Sequence, residues 1–210
     1  MKNFYTRLLS SLFIAPIFLY ATYEANLLFY IILIIIFLGS CYEIFKNVKQ
    51  TQLSFLLYIL VFFFIFSLLK VREIDYSNYI YLVWVLSIVW ISDIFGYLVG
   101  KSIGGAKLSK YSPNKTISGF LGSIFFSQFA ILVPLYFLKN FSLNFKFFLF
   151  QLVFCIISVL GDIFFSYVKR VNKIKDYSAL IPGHGGILDR IDGMIFVIIF
   201  YYFILIFNAI

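Results

Sequence analysis

Two stretches in the C-terminal third carry acids, cations and glycines at spacings that chemistry can use. In the first, Gly161 and Asp162 are followed by Ser166, Lys169 and Arg170. Asp162 and Ser166 are four apart and Lys169 lies three further on, so a helix sets all three on one face. An Asp within an apolar run costs about 2.5–3.5 kcal/mol near a helix centre, and therefore takes a partner or a role. An ion pair with Lys169 or Arg170 that merely finishes the helix would satisfy Asp162 alone. The second stretch reads Pro182-Gly183-His184-Gly185-Gly186-Ile187-Leu188-Asp189-Arg190-Ile191-Asp192. Its proline and glycines predict a loop whose backbone N–H groups approach a ligand closely. Asp189 and Asp192 are one turn apart if a helix begins there, and one of them could simply cap it. Capping does not account for two acids, Arg190 and the single histidine, His184, in one place.

A third cluster runs from Ser92-Asp93 to Gly122 and includes Lys101, Lys107, Lys110 and Ser112-Pro113-Asn114-Lys115-Thr116, with no acid after Asp93. Asp93 is expected roughly 10 Å inside its span, at 1.5 Å per residue. Retention of basic loops at the cytoplasmic face, with contact to anionic lipid, is a sufficient reason for these lysines. Gly104-Gly105 is not a phosphate-binding Walker loop, since no Gly-Lys-Ser/Thr follows it. Taken together, the carboxylates and cations form a coherent set for phosphate chemistry. Carboxylate oxygens suit Mg²⁺, which joins protein to substrate phosphates, and positioned Lys and Arg stabilise developing charge. One His and no nearby Cys make a poor zinc site.

The elements that must hold these residues are membrane helices. Hydrophobic residues make up 63% of the 210, aromatic 22% and charged only 12%, against about 25% charged in soluble domains. The net charge of +8 would suggest nucleic-acid binding in a soluble protein; here its placement matters more, and no nucleic-acid partner is expected. A span needs roughly 20 apolar residues, which predicts seven: about 8–23, 26–45, 53–69, 78–99, 119–138, 146–168 and 193–209. The first lacks a convincing cleavage site and is expected to remain. With the N-terminus cytoplasmic and the C-terminus outside, thirteen of the seventeen cations fall in inside segments, as the positive-inside rule asks. The fold class is therefore all-α: a polytopic helical membrane protein of about seven transmembrane helices with a cytoplasmic-side polar active site. Eleven of the twelve glycines lie at or after Gly96, so residues 1–77 read as plain hydrophobic spans. Residues 78–210 read as the catalytic membrane domain of one integrated bundle. Cys41 and Cys155 lie in apolar runs and read as small core residues.

The pattern from Ser166 through Asp192 closely resembles the signature of the phosphatidate cytidylyltransferases, the CDP-diacylglycerol synthases. Ser112-Pro113-Asn114-Lys115-Thr116 with Gly119 is similar to that family's second loop, and Asp93 with Tyr97 to its intramembrane acid segment. The detailed likeness covers about half the chain. It implies CTP and phosphatidic acid as substrates, within membrane lipid, and CDP-diacylglycerol and pyrophosphate as products. It also implies Mg²⁺, leaving a second cation open, and a homodimer in a bacterial inner membrane. Carried onto this sequence, Asp162, Asp189 and Asp192 would bind metal and act in catalysis with Lys169 and Arg190. Ser112, Lys115, Thr116, Ser166, Arg170, His184, Gly185 and Gly186 would contact substrate. Three departures stand out: Phe165 and Ser118 where the family usually has acids, Ile94-Phe95-Gly96 after the intramembrane Asp, and a chain expected to be about two N-terminal spans shorter. Competing readings are a CTP-dependent lipid-alcohol kinase, which would release CDP, and a small ion-coupled transporter using Asp93. A CDP-alcohol phosphotransferase would want acids four apart, where here the spacing is three, and an Asp-Gly…Ala-Arg run that is absent.

Overall fold

The structure, a computed structural model, describes residues 16–24, 26–74, 78–139, 141–181 and 185–207. The long apolar stretches become α1 (Leu27–Asn47), α2 (Thr51–Ile74), α3 (Asn78–Ile103) and α6 (Phe145–Val171). Between α3 and α6 lie α4 (Ile117–Ser127), a 3₁₀ turn (Gln128–Ile131) and α5 (Leu132–Phe137), and α7 (Leu188–Ile206) closes the chain. Residues 16–24 are helical as well. Among the described residues there is no β-strand, only isolated bridges pairing Lys107 with Thr116 and Ile181 with Gly185.

Five stretches are long and apolar enough to cross a bilayer: Leu27–Asn47, Thr51–Glu73, Tyr79–Ile103, Ile117–Phe137 and Phe145–Val171. They correspond to five of the seven expected spans. Of the other two, the first half of 8–23 lies outside the described residues and its second half is helical, and 193–209 corresponds to α7, which opens five residues earlier with Asp189, Arg190 and Asp192. Outward faces are apolar, Phe45 being 82% exposed and Phe125 64%, which only a lipid surround makes tolerable. The chain is an all-α integral membrane protein.

Side-chain caps begin the helices. Asn26 accepts from the Leu28 N–H, Thr116 from Gly119 and Asn144 from Lys146, each replacing a bond the first turn lacks. The expected continuous helix 119–138 changes pitch at Gln128–Ile131. There Gln151 of α6 donates to the carbonyls of Ser127 (3.3 Å) and Gln128 (3.2 Å). Two crossings are held close by missing side chains. A Cβ on Gly119 would stand 2.5 Å from the Gly96 carbonyl oxygen, where α4 meets α3. One on Gly161 would stand 3.1 Å from the Asp192 carbonyl oxygen, where α6 meets α7. Trp84, edge-on to Phe147 and Phe154 at 5.6 and 5.9 Å, fills the middle of the core. At one end of the bundle the buried Arg72 donates to the carbonyls of Thr22 and Tyr23. Glu43 and the chemistry-bearing segments gather at the other end. Cys41 is half-buried and Cys155 buried, both as free thiols.

Candidate active site

Alternation of the helices brings the C-terminal ends of α1, α3 and α6 together with the starts of α4 and α7. The loop of residues 104–116 folds back on itself: the Leu108 N–H donates to the Lys115 carbonyl (2.8 Å) and the Ile117 N–H to that of Ala106 (2.9 Å). A turn closes where the Lys115 N–H meets the Ser112 carbonyl at 3.1 Å. Gly104 (φ 70°) and Gly105 (φ 107°) take the left-handed conformations that start this loop. Ser118 donates to the Gly104 carbonyl and touches Thr116 Oγ1, so where the family usually places an acid this chain has a hydroxyl that ties down the loop.

Folded this way, the loop delivers Lys115 into an ion pair with Asp162 of α6. The alternative of a local Asp162 pair with Lys169 or Arg170 is not what forms. Asp93 of α3 lies beside the Asp162 carboxyl, and Asp192 of α7 is close enough to interact with it. Burial opposes the charge on Lys115, but Asp162 and Asp93 outweigh it and hold the ammonium above the ordinary lysine range. Asp93 stands ten residues before the end of α3, about 15 Å along it, and it is exposed.

Asp189 does different work. Its Oδ1 accepts from Lys169 at 2.7 Å, and its Oδ2 from the N–H groups of Tyr177 (2.8 Å) and Gly186 (3.0 Å). A side chain at Gly185 would be strained by its φ of 89° and would crowd Asp189 Oδ2, its Cβ coming to 3.1 Å. Among the described residues of the glycine loop, the amides are used internally: Gly186 on Asp189, and Gly185 on the Ile181 carbonyl at 3.2 Å. Burial and then the Asp189 charge push the Tyr177 phenol far above its ordinary value. Residues 182–184, and so His184, lie outside the described residues. Ser166 is half-buried on α6, while Arg170 and Arg190 are exposed. Arg170 Nε donates to the Tyr111 carbonyl at 3.4 Å, beside an edge-on Tyr111–Tyr167 pair at 4.9 Å. Phe165 is fully buried against Tyr177 and Phe196, so the other position of a usual family acid is filled by aromatic packing.

Two residues of this region escaped the sequence reading. Ser158, one turn before Asp162, has a buried hydroxyl with no hydrogen-bond partner. A Cβ on Gly193 would meet Asp162 Oδ1 at 2.7 Å and Ser158 Oγ at 2.8 Å, so α7 leaves a small polar recess there. Glu43 of α1, within what read as a plain lipid-facing span, is wholly buried and accepts from Ser178 Oγ (2.5 Å) and from the N–H groups of Ile187 (2.8 Å) and Leu188 (2.9 Å). The available signal was its cost: a lone Glu in an apolar run takes a partner.

Among the described residues no three acids are gathered as ligands of one ion; an ammonium group lies among them instead. The oxygens there, carboxylates of Asp162 and Asp192 with Asp93 beside them and the unpartnered Ser158 hydroxyl, are of the kind a hard divalent cation takes, while the Lys115 ammonium is no ligand and occupies that place now. With cations on either side, the arrangement can hold a polyphosphate at the membrane surface.

Comparison with known proteins agrees with this chemistry. The chain matches the cytidylyltransferase family over residues 8–207. It is 34% identical over 203 residues to the phosphatidate cytidylyltransferase of Rickettsia felis, covering 92% of this chain and 88% of that one. With the phosphatidate cytidylyltransferase of Aquifex aeolicus it shares 34% over 187 residues, 88% of this chain and 68% of the relative. That of Bacillus subtilis is 37% identical over 141 residues, 65% and 51% of the two chains. On the extent of the family match and of these identities, the chain belongs to the cytidylyltransferase family.

Proposed function

We propose that the protein is a phosphatidate cytidylyltransferase, converting CTP and phosphatidate to CDP-diacylglycerol and pyrophosphate in phospholipid synthesis. The observation that carries this reading is the meeting of Asp93, Asp162 and Asp192 with Lys115, beside the Asp189–Lys169 pair, at one end of a lipid-facing bundle of this family. An oxygen of the lipid phosphomonoester attacks the α-phosphorus of CTP. A new P–O bond forms, the bond to the bridging oxygen of the β-phosphate breaks, and pyrophosphate leaves with the electron pair. A phosphomonoester loses its second proton near pH 6, so the attacking oxygen needs no base at neutral pH. The task left to the protein is positioning and charge.

Lys115 and Lys169 supply ammonium groups from inside the site, and Arg170 and Arg190 supply guanidinium groups at its mouth. Ser112 and Thr116 shape the loop that presents Lys115, while Gly185 and Gly186 shape the one that presents Asp189. Asp162 and Asp192, adjoined by Asp93, would hold Mg²⁺, whose charge would offset that of the triphosphate and its leaving group. Asp189 remains a candidate ligand through its free lone pairs. Ser166 and His184 would complete the substrate contacts, and a second cation, if one takes part, would draw on the same acids.

The reading places seven spans in a bacterial inner membrane, with α7 and a span near residues 8–23 added to the five long helices. The site faces the cytoplasm, where CTP is, with the N-terminus on the same side and the C-terminus outside. Residues 78–210 form the catalytic part of a bundle that includes 1–77, and the working unit is a homodimer. The test is turnover of labelled CTP by purified protein with phosphatidate and Mg²⁺. CDP-diacylglycerol and pyrophosphate in equal amounts, absent without lipid or metal, are expected. Release of CDP in place of pyrophosphate would replace this reading with a lipid-alcohol kinase.

A further inference from the structure

The contact between α1 and the catalytic loops has no place in the chemistry just described. One face of α1 presents Gly39, Glu43 and Asn47, each four residues apart, which stacks them along the helix. Gly39 gives way to Ile187, whose Cδ1 would lie 2.3 Å from a Cβ there. Asn47 Nδ2 donates to the Tyr177 carbonyl at 2.6 Å. Between them, Glu43 reaches the start of α7. Its Oε1 takes the Ser178 hydroxyl and the Ile187 N–H, and its Oε2 takes the Leu188 N–H. Gly186 is closed to any side chain by the same carboxylate, its Cβ falling 2.6 Å from Glu43 Oε1.

We infer that Glu43 is a positioning residue of the active site: an internal anion, supplied by α1, that sets the first turn of α7 and so the aim of Asp189 and Asp192. The inference rests on the cytidylyltransferase reading for what is being aimed. Helix starts leave N–H groups unpaired and favour negative charge, and such an end commonly takes a substrate phosphate. In this protein that place is already filled. The Ile187 and Leu188 amides are bound to Glu43 and the Gly186 amide to Asp189, so these three amides are not open to a phosphate. A carboxylate is required because both oxygens face donors. The Ser178 hydroxyl can turn round to accept a bond, but the Leu188 and Ile187 N–H groups cannot. A glutamine must therefore set its own NH₂ against one of them, leaving a buried donor unpaired.

Glu43→Gln tests this in full-length protein purified in detergent, with Ser178→Ala as the milder variant of the same network. Two readings are taken: kcat and KM per folded molecule, and hydrogen–deuterium exchange of the peptide spanning residues 185–195. Glu43→Gln is expected to lower kcat by about tenfold to a hundredfold with KM for CTP within about threefold, and to speed exchange at Ile187 and Leu188. Ser178→Ala should shift both in the same direction by less, and Glu43→Asp should recover part of the loss. Unchanged exchange at the start of α7 in Glu43→Gln would overturn the inference. So would a lower yield of folded protein with kcat per folded molecule intact, the behaviour of a residue that only supports the bundle. If the wild-type protein turns over no CTP with phosphatidate, the cytidylyltransferase reading fails by itself, and the exchange measurement still decides whether Glu43 sets the start of α7.

Discussion

At the level of single residues, the acids of this site divide into those that hold structure and those left open to chemistry. Asp189 accepts three bonds, from Lys169, Tyr177 and Gly186, whereas Asp192 accepts one described bond, from Gly193 at 3.0 Å. An Asn at 189 must turn an NH₂ towards a donor in a buried place, which costs about 1–3 kcal/mol. Asp189→Asn should therefore lower both activity and thermal stability in detergent, while Asp192→Asn should abolish turnover with a much smaller shift in melting temperature. Equal melting shifts would mean that the Asp189 network is not the one drawn here. Sequence alone pointed to Asp162, Asp189, Asp192 and the lysines, because acids and cations in apolar or glycine-rich settings need a reason. It did not disclose who pairs with whom. Lys115 and Asp162 are 47 residues apart, and no local spacing rule joins them. Glu43 was missed for the same cause: its partners lie 135 to 145 residues further on.

The helices were the most legible part, since each span is an apolar run that lipid requires to be helical. Their ends were less so. α7 starts at Leu188 rather than near residue 193, and Glu43 of α1 accepts from the Ile187 and Leu188 N–H groups at that start. The change of pitch at Gln128–Ile131 depends on Gln151 from another helix and leaves no trace in local hydropathy. Glycine positions, by contrast, mark the crossings. At Gly193 a methyl group would press on Asp162 Oδ1 and Ser158 Oγ within 3 Å. Gly193→Ala should cost about 1–3 kcal/mol through overpacking and reduce turnover more than Gly104→Ala, whose Cβ would meet nothing within 4 Å and whose penalty is backbone strain alone. Comparable activity of the two variants would show that the α6–α7 recess is not part of the working site.

For the molecule as a whole, the two ends of the bundle differ in kind. One end carries Lys107, Lys115, Lys169 and the acids; the other carries Arg72, tied to the carbonyls of Thr22 and Tyr23, and the exposed Lys139. In a background with Cys41 and Cys155 replaced, single cysteines at Lys107 and Lys139 should react with a membrane-impermeant thiol reagent from opposite faces, Lys107→Cys only when the cytoplasmic face is open. Labelling of both from one face would overturn the proposed topology. The exposed setting of Asp93 has a further consequence. Its neighbours on the same stretch of α3, Ile94 at 55% and Leu98 at 47% exposure, are side chains suited to acyl chains, so the acid cluster borders on the lipid phase as well as on water. CTP then arrives at a concentration per volume, whereas phosphatidate arrives at a density per area. Diluting a fixed amount of phosphatidate with inert phospholipid in vesicles should slow the enzyme at constant bulk lipid substrate, and adding buffer at constant CTP and constant vesicle composition should not. A rate that followed bulk phosphatidate alone would mean that the lipid reaches Asp93 through water. The two substrates would otherwise be governed by different dimensionalities, and a cell could regulate this step by the crowding of its bilayer as effectively as by its nucleotide pool.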